Sequence, residues 1–124
     1  MNISKMYILI LDTVDLGHAI LASAHASLSG YLTFVDYDHR LRKVCHGESV
    51  WDIETVTEEW ATQSFRKVVC KVNKTEFEKA KTYGENMKDY RIMVESGLDN
   101  QEVAIVFKPR EEWQLFFKSL KLYK

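Results

Sequence analysis

Met6-Tyr7-Ile8-Leu9-Ile10-Leu11 leads through Asp12-Thr13-Val14-Asp15-Leu16-Gly17 into His18-Ala19-Ile20-Leu21-Ala22-Ser23-Ala24-His25-Ala26-Ser27-Leu28-Ser29-Gly30. The apolar run has the character of a buried strand, and the acidic turn ends it. The small residues that follow suit a helix lying close against a sheet. A buried strand feeding such a helix is the opening half of a βαβ unit. The stretch therefore predicts a strand over Lys5–Leu11 and a helix over Gly17–Leu32. Ligands in such folds gather where strands end and helices begin, which makes His18 and His25 conspicuous.

Working outward, residues Thr33–Val50 are polar and irregular, holding Asp36, Asp38, His39, Arg40, Arg42, Lys43 and His46. Helical spacing returns over Ile53–Gln63, with Ile53, Val56 and Trp60 on one face. Arg66–Val72 is a β-branched run. Asn73 and Glu76 then have the spacing of a capping box, opening a helix whose inner stripe is Phe77, Ala80 and either Tyr83 or Gly84. Tyr90–Val94 and Glu102–Phe107 read as strands joined by the turn Glu95–Asn100, short enough for an antiparallel pair. Beyond Pro109, the spacing of Trp113, Phe116, Phe117 and Leu120 predicts a closing amphipathic helix over Arg110–Leu120. The expected fold is α/β: a four-stranded mixed β-sheet with helices packed on both faces.

The 124 residues read as one domain, 1–124, long enough to bury a core without staples. A net charge of −1 gives no overall basic field, although a local basic patch is compatible with it. Cys45 and Cys70 form no C-x-x-C pair, and Cys70 sits in an apolar run as a small core residue. Cys45-His46 with His39 is too scattered to argue for a metal, and no cofactor is expected. Asp12 and Asp15 read as turn and helix-capping residues rather than cation ligands. With no signal peptide and no apolar stretch of about 18 residues, the chain reads as cytoplasmic, with no membrane partner.

Four strings, in this order, resemble the type 2 peptidyl-tRNA hydrolase superfamily. They are Ala24-His25-Ala26 in the first helix; Arg66-Lys67-Val68-Val69-Cys70-Lys71-Val72 with the helix reaching Ala80-Lys81; Glu95-Ser96-Gly97-Leu98-Asp99-Asn100; and Phe117-Lys118-Ser119-Leu120-Lys121-Leu122-Tyr123. The likeness covers most of the chain outside Thr33–Ser49. It implies a small α/β hydrolase that cleaves the ester between a peptide and tRNA, commonly paired as a homodimer. The chain departs from the family at its polar positions. Where the family has a functional lysine and, one turn later, a glutamine, this sequence has His18 and Ala22. The family's Asp and Thr in the later turn are Glu95 and Asp99, and the loop before the first helix is shortened to Asp15-Leu16-Gly17.

Ester hydrolysis requires a base for water and a donor for the developing oxyanion. His18 is the candidate base, with Glu95 and Asp99 as carboxylates to orient it and His25 as a further candidate. His25 lies about 10 Å along the helix from His18, too far to share a metal. Each also has a plainer role: His18 as an exposed helix end, His25 as a packed helix residue, Glu95 and Asp99 as turn formers. Arg66, Lys67 and Lys71 are the candidate tRNA-backbone contacts, with Arg40, Arg42 and Lys43 beside them. Lys67 and Lys71 share a strand face. Interspersed acids (Glu48, Asp52, Glu54, Glu58, Glu59) would equally make this a solvated surface. The partner is then tRNA or another nucleotide conjugate. A catalytically inactive homodimeric binding module of the same fold is the second reading, with Tyr31, Tyr37 and Trp51 as interface candidates.

Overall fold

A computed structural model of the chain describes residues 3–36, 60–61 and 65–124. Its sheet has four strands in the order β2-β1-β4-β3: β1 (Lys5–Leu11), β2 (Arg66–Val72), β3 (Tyr90–Glu95) and β4 (Gln101–Phe107). β1 pairs with β2 in parallel and with β4 antiparallel, and β3 and β4 form the antiparallel hairpin that the short turn requires. The mixed sheet is the one the alternation of elements predicts.

Helix α1 (Leu16–Gly30) packs through Ala19, Ala22, Ala26 and Gly30, all buried. A Cβ at Gly30 would stand 2.6 Å from Met6 Cε and 3.0 Å from Val106 Cγ2. Small residues are what allow the helix this close to the Met6, Ile8 and Val106 face. The chain leaves α1 in a wider π-type turn over Tyr31–Asp36. Helix α2 (Lys74–Met87) takes the opposite face. Its capping box is complete: Glu76 N–H donates to Asn73 Oδ1 at 2.8 Å, and Asn73 N–H donates to Glu76 Oε1 at 2.9 Å. On that face Tyr7, Tyr83, Phe107, Trp113, Phe116 and Phe117 meet ring to ring at 4.6–6.1 Å.

The closing helix is shorter than expected. Helix α3 spans only Leu115–Lys118. Arg110 is drawn instead into backbone pairing with Lys5, exchanging bonds of 2.9 and 3.0 Å. Trp113 Nε1–H also donates to the Arg110 carbonyl at 3.1 Å, and residues 110–114 stay outside the helix. Trp113, Phe117 and Leu120 are buried all the same, and Phe116 partly so.

One contact had no counterpart in the sequence reading. Residues 121–123 lie antiparallel along the outer edge of β2, with Lys71 N–H donating to Lys121 O (3.0 Å) and Tyr123 N–H to Val69 O (2.8 Å). The expected helix over Ile53–Gln63 falls largely outside the described residues. So do Tyr37, His39, Arg40, Arg42, Lys43, Cys45, His46 and Trp51.

Candidate active site

β1 and β3 both run antiparallel to β4, and β2 runs with β1. The C-terminal ends of β1, β2 and β3 therefore share one edge of the sheet. The loop entering α1, the start of α2 and the bend after β3 all gather there.

Asp15 is the N-cap of α1, and both of its carboxylate oxygens are used. Oδ1 accepts the His18 backbone N–H at 3.0 Å, while Oδ2 lies 2.7 Å from His18 Nδ1. A ring nitrogen that donates to a carboxylate leaves the other nitrogen as the free acceptor. That other nitrogen, Nε2, faces the bend after β3: a Cβ built on Gly97 would lie 3.7 Å from it. The same Cβ would lie 3.3 Å from Glu95 Oε1, which accepts the Gly97 N–H at 3.0 Å. His18 and Glu95 thus converge on the space that glycine leaves open.

The local sequence explains each part. Asp15 ends the turn after β1 with extended backbone and caps the helix, which places a residue three positions later above it. The His18 backbone N–H, and then its ring, hold the Asp15 carboxyl below the usual aspartate range. The His18 side chain is 34% exposed and Asp15 63%, so the pair is open to water. Ala19 N–H bonds the Asp15 carbonyl, whereas the Leu16 and Gly17 N–H groups have no bond among the described residues. They are the open donors of the first turn of α1.

The expected residues divide accordingly. His18 and Glu95 come together, but the carboxylate that orients His18 is Asp15. The capping role expected of Asp15 is present, and it carries the second role as well. The missed signal was D-x-x-H at a helix start, where a capping aspartate reaches the side chain three residues on. Glu95 is committed to the Gly97 N–H, capping the 3-10 turn Ser96–Leu98. Asp99 and Asn100 take left-handed backbone, with φ of 55° and 60°. Asp99 is exposed, and no bond to His18 is formed by it. His25 is exposed further along α1, away from the His18 ring. Ala22, standing at the family's glutamine position, is buried beneath the helix.

The basic candidates also separate. Lys67 Nζ lies 3.5 Å from the Phe65 ring centroid and 5.3 Å from that of Trp60, and donates to the Phe65 carbonyl at 3.3 Å. Burial lowers its pKa. Arg66 is exposed. Lys71 is exposed at the shared edge, 5.1 Å from the Tyr123 ring. Among the described residues no group of three His, Cys, Asp or Glu could hold a metal ion. No helix among them is long and apolar enough to cross a membrane.

No protein-family model and no curated protein matches this chain.

Proposed function

We propose that this protein is an ester hydrolase of the type 2 peptidyl-tRNA hydrolase kind, with His18 as general base, acting in the cytoplasm on peptidyl-tRNA. The observation that carries the reading is the line Asp15–His18–Gly97: an imidazole oriented through Nδ1, with Nε2 free above a vacant glycine. His18 Nε2 takes a proton from water, and the resulting hydroxide attacks the carbonyl carbon of the ester. Asp15 stabilises the imidazolium that forms. The Leu16 and Gly17 N–H groups, open at the start of α1, serve in this reading as the oxyanion donors. When the acyl C–O bond breaks, His18 returns the proton to the departing ribose alkoxide, and the peptide acid releases its own proton to solvent as it leaves as a carboxylate.

This chemistry replaces the family's lysine with a histidine and needs no metal. The test is release of peptide from an N-blocked peptidyl-tRNA by the purified protein, beside a type 2 enzyme as control. Release above the uncatalysed rate supports the reading; none, where the control cleaves, overturns it.

One observation favours the alternative of a catalytically inactive homodimeric module. The outer face of α1 exposes Leu16, Ile20, Leu21 and Leu28, continuing into Leu32, an apolar stripe suited to a partner. Absence of cleavage together with a concentration-dependent dimer would favour it.

A further inference from the structure

We propose that a cavity of about 620 Å3 at the C-terminal ends of β1 and β2 is a phosphate subsite. Its ligand is the phosphate of a nucleotide. The inference rests on the hydrolase reading for the ligand's class, a phosphorylated nucleoside, and on the cavity itself for the anion.

Residues 121–123 create the site by pairing along β2. The Cys70–Leu122 bridge and the Lys71–Lys121 hydrogen bond set Lys71 directly opposite Lys121. Like charges opposed across a strand pair destabilise it. Neither lysine has a carboxylate partner among the described residues to offset this, nor has Lys124, which lines the same cavity. Three ammonium groups with no ion-pair partner among the described residues line one hollow, and a phosphate dianion is a counter-ion that they can share.

Two carboxylates, Asp12 and Glu76, line the same cavity, so its described side chains carry three positive charges against two negative. Glu76 Oε1 is committed to the Asn73 N–H in the α2 capping box, so the helix start is satisfied by its own side chains. Asp12 has its backbone N–H tied to the Val72 carbonyl at 2.8 Å, and its carboxylate is exposed at the cavity wall. A carboxylate beside a phosphate site accepts from a sugar hydroxyl, which favours a nucleotide over phosphate alone. Asp12 also begins the loop that carries Asp15 and His18. A nucleotide anchored here lies on the same sheet edge as the proposed base.

The test is an amide chemical-shift titration of the intact protein with adenosine 5′-monophosphate, inorganic phosphate and adenosine in separate arms. Saturable shifts at Asp12, Lys71, Lys121 and Leu122 are expected with the monophosphate, weaker ones with phosphate and none with adenosine. The double variant Lys71→Gln, Lys121→Gln should weaken monophosphate binding by at least about tenfold. Its own spectrum reports whether the fold is kept, and Lys121→Gln alone serves if it is not. Absence of saturation at these amides up to about 10 mM, or unchanged binding in the variants, would overturn the proposal. Adenosine binding as well as its monophosphate would do the same. Equal binding of phosphate and monophosphate would overturn the role of Asp12. Binding is read without any cleavage, so failure of the hydrolase assay and failure of this one are separate results.

Discussion

Gly97 is the residue on which the proposed chemistry turns, because its missing side chain is the space in front of His18 Nε2. Alanine there would meet Glu95 Oε1 at 3.3 Å and His18 Nε2 at 3.7 Å, tight but without backbone clash. Gly97→Ala is therefore expected to fold and to lose roughly 10²-fold or more in ester cleavage, since a base acts only within hydrogen-bond reach of its water. Full activity in a folded Gly97→Ala protein would show that substrate does not enter there. Asp15 gives a second prediction, with a definite sign. Its carboxyl is held below the ordinary value of 3.8 when folded. The support it gives α1 and His18 is thus complete above 3.8 and fades as pH falls through the lower folded value. An acid titration of the His18 amide shift should have its midpoint below 3.8, and a midpoint at or above that value would contradict the assignment. Sequence alone gave Asp15 its capping role because capping is set by local spacing. Its grip on the imidazole depends on which rotamers the first turn allows, and so stayed hidden.

At the level of elements, close approach decides which helix goes where. A Cβ at Gly84 would sit 2.6–2.9 Å from the ring carbons of Tyr90, so α2 lies on β3 with no room for a methyl group. Gly84→Ala should cost about 1–3 kcal/mol through overpacking, partly offset by alanine's better helix propensity. Urea unfolding measures it, and a stabilised variant would mean that the Tyr90 ring moves freely. The same scale shows what patterning reveals and what it leaves out. The β1–α1 junction and the Asn73–Glu76 capping box were legible because local chemistry fixes both. Spacing predicts too long a closing helix because Trp113, Phe117 and Leu120 have helical spacing and are buried, yet Arg110 is held by β1 in extended pairing. Periodicity reports which side chains go inward, not where the backbone already has partners. The pairing of residues 121–123 was illegible for the same reason, being too short to carry a strand pattern.

Across the whole molecule, three junctions fall on one sheet edge because β1, β2 and β3 all end there, so residues far apart in sequence share one surface. That the first and last of these junctions meet was an expectation of the family resemblance alone, since turn and helix signals are local. The cavity between β2 and residues 121–123 needed coordinates. Beneath that edge the core is closed: Cys70 is 1% exposed, and burial, then the charge of Glu76, push its thiol up to about 11. It should resist alkylation at mildly alkaline pH in the native protein and react once unfolded, as peptide mass mapping would record. Rapid native labelling would mean that β2 opens readily. The most direct measurement of the central claim is single-turnover cleavage of peptidyl-tRNA by His18→Gln against the wild-type protein, with folding of both verified by amide spectra. A general base contributes roughly 10²–10⁴-fold, and a loss of that size is expected for a folded variant. Equal rates for the two proteins would contradict the assignment of His18 as the base.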